Sequence, residues 1–497
     1  MSSYKWNDEP LDEEGYQQDD EGLTKDEIKE LDRIYRKLDR RIIPALWCLY
    51  FLTSFGGAAY GVALTMNMAQ GHSTEQELNL SPKDVSTANA LDYVGYIIFD
   101  IPMNLIMTRV ATQAWLSRIV ISVGVVYACY AAVTNAGGLI AIRLMTGIAT
   151  AGTWPGMAYY ISLWYPPHKT ARRIGYYFTA AQVSAAVAGL VSAGFQKMDG
   201  MRGLTGFQWM FMIYGLVTVV VGISLNWWLP DRPIKTNDSE PESKFLRGLL
   251  SMVPKQPRVL TEKEQELHMR DMQARYKNVS WGFKELCQVF LDVRIWPLVL
   301  MYFGVVGVGY GLTVFASKII NMIDPSLTSV ELSLLTAPIW ICDLIAILII
   351  TPLSDKFRRH RGLVFSSSSV VIIVGLVVTT YAPHVWPRYV GLLICGLGLG
   401  PTVPICMTWA AEIFGPRHGD LGTAASAAVV SGLGNLGSVT TTYALYSGWP
   451  ADVKNGYKNS NMVMVAILGI SILAAGSCTL LRWFLGDFKK HSNVSLM

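Results

Sequence analysis

Three aspartates and an arginine stand in runs that are otherwise apolar enough for a lipid bilayer. Asp92 and Asp100 lie in ALDYVGYIIFDIPMNLIM (Ala90–Met107), Arg143 opens RLMTGIATAGTWPG, and Asp343 sits in the middle of TAPIWICDLIAILII. An ionised side chain near the centre of the hydrocarbon costs about 2.5–3.5 kcal/mol on insertion scales, so each must face a watery cavity or a partner. A desolvated carboxylate with no cation beside it can bind and release a proton as its surroundings change. An arginine facing a cavity can hold a carboxylate through two hydrogen bonds. Asp92 and Arg143 lie at similar depths, each about one to two turns from the same end, so they can pair if their helices touch. Asp343 has no intramembrane cation at its depth. A structural alternative stays open, in which Asp92 and Arg143 form a fixed ion pair and Asp100 caps the bundle toward Arg109.

The elements that carry these groups are membrane spans. Of 497 residues 51% are hydrophobic and only 16% charged, with a mean hydropathy of +0.32, whereas an ordinary soluble domain is about 25% charged. A span needs roughly 20 mostly apolar residues. Runs of that kind are Ile42–Leu64, Val85–Met107, Trp115–Thr134, Leu139–Leu163, Ile174–Phe195 and Phe207–Leu229. After a polar interval come Ile295–Ala316, Leu332–Leu353, Leu363–Tyr381, Tyr389–Ile413, Leu421–Leu445 and Met462–Leu485. Six, an interval and six more is the layout of a chain made of two repeats around a shared site. The expected division is a tail over 1–41, a six-helix bundle over 42–229, a connecting loop over 230–294, a second bundle over 295–485 and a tail over 486–497.

Charge sets the orientation. Arg33, Arg36, Lys37, Arg40 and Arg41, then Arg109 and Arg118, then Lys169, Arg172 and Arg173, then Lys356, Arg358, Arg359 and Arg361 all fall on one side, so both termini are expected in the cytoplasm. No cleavable signal peptide precedes the first span. Thr24 and Glu27 have capping-box spacing before Ile28, Leu31, Ile34 and Leu38, which reads as a short amphipathic helix on the inner membrane surface or a solvated connector. Thr261 and Glu264 open a second polar helix in the central interval in the same way. The formal charge of +4 comes with no basic patch interleaved with aromatics, so no nucleic-acid partner is expected. There is no P-loop, HExxH or GxSxG, which excludes ATP hydrolysis and the familiar hydrolase mechanisms, so the chain does not read as an enzyme. The seven cysteines have no ligand spacing, and no metal or other cofactor is expected.

Two further motifs carry a resemblance. TPLSDKFRRHRG (Thr351–Gly362) follows the eighth span and places an acid beside a run of cations, a turn able to lock neighbouring helices in one state and release them in another. It resembles the G-x-L-x-D-R-x-x-R loop of the major facilitator superfamily, with Asp355 and Lys356 in the D-R places and Arg359 beyond. RLMTGIATAGTWPGMAYYISLWYPPHKTARRIGYY in the fourth span has glycines for close helix approach and Pro155 to loosen the backbone at mid-depth. With KLDRRIIPALWCLYFL, GYIIFDIPMNL, AWLSRI and GLGNLGS it resembles the anion:cation symporter family, and within it the fungal allantoate permease branch, over Lys37 to about Leu485.

That resemblance implies an all-α membrane protein of the major facilitator fold, with 12 transmembrane helices in two six-helix bundles. It implies a monomer, cargo among small organic anions such as nicotinate, pantothenate or allantoate, and residence in the plasma membrane. Substrate contacts are expected from spans one, four, seven and ten, where Arg143, Tyr60, Trp154, Tyr302, Tyr310 and Trp409 are available. Relatives carry Asp-Arg in the first span, where this chain has Gly56 and Gly57, and a glutamate in the fourth, where it has Thr150. The proton-handling acids are therefore expected at Asp92 and Asp343 instead, with Asp100, Arg109, Asp355, Lys356 and Arg359 in gating. An exporter of a metabolite or drug, favoured by the missing first-span arginine, and a nutrient sensor with little transport are the alternatives.

Overall fold

The computed structural model describes residues 25–230, 259–275, 289–357, 360–446, 448–449, 451–452 and 455–485. The described elements are helices joined by turns, with no strand among them. The first half consists of α1 (Lys25–Ala63), α2 (Pro82–Arg109), α3 (Thr112–Cys129), α4 (Ala136–Thr150), α5 (Thr153–Trp164), α6 (Pro167–Phe195) and α7 (Gly206–Trp228). A connecting helix, α8 (Glu262–Arg275), precedes the second half: α9 (Ile295–Ile323), α10 (Ser329–Lys356), α11 (Arg361–Tyr381), α12 (Val385–Gly434) and α13 (Lys458–Leu485). Ten of the described helical stretches are long and apolar enough to cross a membrane. The polar α2, with Asn89, Asp92 and Asp100, is packed among them rather than being one of the ten.

Short-range chemistry sets the helix starts. The Asp84 N–H donates to Ser81 Oγ at 3.2 Å while the Ser81 N–H donates to Asp84 Oδ2 at 2.9 Å, and Pro82 sits in the first turn, where a missing N–H costs nothing. Thr328 and Glu331 repeat the device at the start of α10. The pairing of helices is also repeated: α2 packs on α4 in the first half and α10 on α12 in the second. The halves meet where α6 packs on α10 and α1 on α9.

Two expectations are corrected. The amphipathic stretch ahead of the first span is neither a separate helix nor laid on lipid; it is the beginning of α1, and Leu31, Ile34 and Leu38 are covered by protein. Thr24 lies outside the described residues, and the cover comes from α8. There Tyr35 donates to Asp271, Lys37 to Glu264 Oε2 at 2.8 Å and Arg270 to Glu27 Oε1 at 3.3 Å. The capping box expected at Thr261 and Glu264 opens α8.

The fourth span is broken into α4 and α5, but not at its proline. Gly152 takes the left-handed conformation (φ 81°) between them, and Pro155 falls in the first turn of α5, where proline is tolerated.

The turn expected between the tenth and eleventh spans lies within the helical stretch Val385–Gly434. Along a straight helix Cys406 and Gly434 would be roughly 40 Å apart at ~1.5 Å per residue. Yet Cys406 Sγ lies 3.5 Å from the Leu298 carbonyl, and a Cβ on Gly434 would meet Tyr302, one turn further along α9. The chain therefore doubles back between them, and α12 supplies two antiparallel segments.

Candidate functional site

A cavity of about 270 Å³ lies between the halves. It is at or just below the small end of the range for small-molecule sites, so it suits a metabolite rather than a drug-sized ligand. On the first-half side it is walled by Tyr50 and Gly57 of α1, Asp92, Tyr93 and Tyr96 of α2, Arg143 of α4, Trp154 of α5 and Gln182 of α6. Tyr302 and Tyr310 of α9, Trp340 and Asp343 of α10 and Gly400 of α12 face them. Tyr93 and Tyr310 meet edge to face across the joint, 5.0 Å between centroids.

The expected pair is formed. Arg143 Nη2 lies 2.9 Å from Asp92 Oδ2 and donates to Asn89 Oδ1, also at 2.9 Å. The guanidinium stacks over the Tyr60 ring at 4.3 Å. Arg143 is only 2% exposed, and its Nε and Nη1 meet no acceptor among the described residues. In the low dielectric of such a site the neighbouring carboxylate compensates the guanidinium, and the ring face adds an attraction of its own.

Asp343 is equally buried, at 2% exposure, but no described cation reaches it, and its Oδ1 accepts no hydrogen bond there. Its polar neighbour is the Gln182 side chain, from the other half. The two acids occupy matching places. A Cβ on Gly147 would lie 1.9 Å from the Asp92 carbonyl, and one on Gly400 2.3 Å from the Asp343 carbonyl, so both helix crossings need a glycine opposite the acid. Four residues before Gly147 is Arg143; four before Gly400 is Gly396. A Cβ on Gly396 would already lie 2.4 Å from the Ile339 carbonyl, so no arginine fits there.

Comparison with known proteins gives the family. The model of the Major Facilitator Superfamily matches residues 46–440. This chain belongs to that superfamily. It is 45% identical over 462 residues to Vitamin H transporter 1 of Schizosaccharomyces pombe, covering 91% of this chain and 81% of that one. A putative tartrate transporter of Agrobacterium vitis is 26% identical over 445 residues, covering 89% of this chain and 93% of that one. Among solved structures, a bacterial homologue of the human lysosomal transporter Spinster, in an inward-facing and occupied conformation, superposes with a TM-score of 0.61. It shares 16% identity and covers 89% of this chain and 96% of that one. The chain is thus a membrane transporter with the major facilitator fold.

In this transporter the halves are held together at one end. Gln196 Nε2 donates to Ser333 Oγ at 2.9 Å, Ser317 Oγ to the Gly61 carbonyl at 3.1 Å, and Ser86 Oγ to the Tyr443 carbonyl at 3.2 Å. The Lys318–Glu75 ion pair joins them. All lie where α1 ends and α2 and α10 begin.

The transporter places the other singled-out residues unevenly. Trp154, Tyr302 and Tyr310 line the cavity. Tyr60 does not; it lies behind Arg143 as the face on which the guanidinium stacks. Trp409 is also off the cavity wall, buried where Gly362 makes room for its ring. Asp100 is off the wall too. Its Oδ1 accepts the Gly152 N–H at 3.0 Å, which pins the break between α4 and α5. The side chains of Arg109 and Asp355 and the whole of Arg359 lie outside the described residues, while Lys356 is exposed. Of the two absent first-span charges one has a steric reason: Tyr127 lies 1.9 Å from where a Cβ on Gly56 would be, whereas a Cβ on Gly57 would meet nothing within 4 Å.

Sequence reasoning missed Gln182, Tyr50, Tyr93 and Trp340. Gln182 alone left a signal, as a strongly polar residue in the small-residue run AAQVSAAVAG. It also missed the clamp made by α8. Lys37 beside Glu264, followed by the Thr261 N–H, holds that carboxyl below the usual range, and burial lowers His268, whose Nε2 lies 2.9 Å from the Trp164 carbonyl.

Proposed function

We propose that this transporter imports a small organic anion, a vitamin or nitrogen-source carboxylate, together with a proton by alternating access. The observation that carries this reading is Asp343, buried in the cavity wall with no cation beside it among the described residues. Asp92 compensates Arg143, so the described charged groups on the wall amount to one cation and two carboxylates. A second anion entering that wall is repelled unless Asp343 takes a proton, so cargo and proton enter together. Arg143 then shares its unmet N–H groups with the cargo's carboxylate, loosening Asp92, which is the more exposed partner at 17% against 2%.

Relatives are named as a vitamin H transporter and a putative tartrate transporter, and both of those compounds are carboxylates, which supports the anion. The motifs of the anion:cation symporter family and its allantoate permease branch support the same class. In this reading the chain works as a monomer in the plasma membrane with both tails in the cytoplasm, and the bolted end faces outward. The loop from Asp355 to Arg359 and the Asp100 region gate the opposite end.

The test is uptake by purified protein in liposomes with an inside-alkaline pH gradient. Asp343→Asn should abolish gradient-driven accumulation while leaving exchange of cargo across the membrane. An unaltered pH response would overturn the role of Asp343, and accumulation driven only by the reverse gradient would make the protein an exporter.

A further inference from the structure

Past the end of α12 the eleventh span continues through a short α-helical segment, Leu436–Val439, and then winds as a π-helix over Thr440–Tyr446. Such winding is rare and is found mostly as single turns at functional sites. The side chains show what sustains it here. The hydroxyls of Thr440, Thr441 and Thr442 donate to the carbonyls of Leu436, Gly437 and Ser438 at 3.0, 2.9 and 2.7 Å. In an α-helix those three carbonyls would receive the N–H groups of the same three residues. Back-bonding by threonine therefore competes with the regular register. From the other half comes Ser86 of α2, a buried residue whose hydroxyl lies 3.4 Å from the Thr442 carbonyl and 3.2 Å from the Tyr443 carbonyl.

By the order of the spans, the joint of α2 with the eleventh span matches that of α10 with α6, the fifth span, and in both the contact crosses between the halves. The two joints are built differently. α6 is α-helical throughout Pro167–Phe195, and a Cβ on its Gly189 would lie 2.6 Å from the Ser333 carbonyl and 2.6 Å from Thr336 Oγ1 of α10. That joint is a tight, regular seam. The other is a widened helix onto whose carbonyls Ser86 donates. We propose that the bolted end opens at one joint only: α2 parts from the eleventh span as Thr440–Tyr446 rewinds into the α register, while α6 and α10 keep contact as the line about which the halves turn. Rewinding gives the freed carbonyls to backbone N–H groups, so the loss of the Ser86 bond leaves none of them unmet. The Ser317 bond to the Gly61 carbonyl, between α9 and α1, is released in the same step. The proposal concerns how access changes and holds for either direction of transport, so it stands apart from the proton-coupled reading.

The experiment uses the full chain in lipid nanodiscs, with pairs of spin labels carried by unnatural residues at exposed positions. Lys83 with Ala444 spans the π-helical joint, and Lys197 with Leu334 spans the joint of α6 with α10. Opening should lengthen the first distance by at least about 5 Å and the second by no more than about 2 Å. Ser86→Ala should raise the ratio of open to closed molecules about fivefold, the effect of losing one hydrogen bond, while Ser86→Thr, which keeps the donor, should stay near the wild type. Thr442→Val keeps the shape but leaves the Ser438 carbonyl to a backbone N–H, and should shift the ratio the same way as Ser86→Ala. One measurement needs no variant: in the wild type the amide hydrogens of 440–446 should exchange about tenfold faster than those of 189–195. Equal lengthening of the two distances, an unshifted ratio in Ser86→Ala or Thr442→Val, or exchange in 440–446 no faster than in 189–195 overturns the one-sided opening. None of these results bears on the anion importer, which is judged by uptake.

Discussion

In the first half of the molecule Asp92 lies against Gly147, and Arg143 stands one turn away to pair with it; in the second half Asp343 lies against Gly400, and the place of the arginine is taken by Gly396. The crossings share a register, yet one acid is compensated and the other is not. The cause is local packing. α10 passes so close to Gly396 that a Cβ would strike the Ile339 carbonyl, while in the first half the second close approach of the crossing falls at Gly95 on α2, against the Leu144 carbonyl, and leaves the place of Arg143 open to a side chain. One repeat can therefore hold an ion pair and the other only an isolated carboxyl. On the proposed mechanism, two copies of one arrangement divide the work, the first offering donors to an anion and the second handling the proton.

The largest test of that contrast is to remove the cation. Arg143→Gln leaves Asp92 buried without a partner and should cost about 3–5 kcal/mol, read as a large drop in thermal stability in detergent. Asp92→Asn added to it should recover most of the loss. Asp343→Asn breaks no ion pair, so its stability should stay within about 0.5 kcal/mol of wild type or rise; comparable losses in the two halves would end the contrast.

The shared register is tested next by Gly147→Ala and Gly400→Ala. Each pushes a methyl group into a neighbouring backbone and should destabilise by about 1–3 kcal/mol. A harmless Gly400→Ala would show that the second crossing is not the counterpart of the first.

The break between α4 and α5 has no counterpart in α12, which is helical at the matching position, Ile405. Gly152→Ala forces a side chain into the left-handed region (φ 81°) and should cost about 1–2 kcal/mol. Asp100→Leu, which removes the acceptor for the Gly152 N–H, should lower transport by more than its stability loss explains. Proportionate losses would reduce Asp100 to packing.

The smallest effect concerns α8, which docks on the first half. Burial holds His268 below its usual 6.5, so the docked helix keeps the imidazole neutral while the undocked helix protonates it near 6.5. Docking is at full strength above pH 6.5 and weakens as the pH falls toward the docked value. Asp271, itself buried and bonded to Tyr35, and Arg173, over the Tyr165 ring, are charged groups of that region. Hydrogen exchange in 262–275 should quicken between pH 6.5 and 5.5 while α9–α13 stay unchanged, and His268→Gln should flatten the response.

The broad plan was legible because its signals are long and additive. An apolar run of 20 residues, or a capping box such as Thr328 with Glu331, states its structure with little help from elsewhere. The pairing of Asp92 with Arg143 was legible too, since equal depth and opposite charge leave few other partners. The continuation of α1 backward through Leu38 was not, because an amphipathic face looks the same whether lipid or α8 covers it. Nor was the break at Gly152, where the visible proline drew attention from a glycine three residues earlier that an acid on another helix holds in place. Tyr60 and Trp409 were named for their chemistry, yet which way a ring faces is decided by its neighbours.

By itself the chain determined that it would span a membrane, because backbone in hydrocarbon must satisfy its own hydrogen bonds and long apolar runs do so as helices. It also determined that a few charges would have to share an interior site, because lipid would not take them. Only the packed structure decided which acid received the cation, and that Gln182 would stand beside the other. Both outcomes turn on gaps smaller than one methyl group between helices distant in sequence, and a linear pattern holds no record of such gaps.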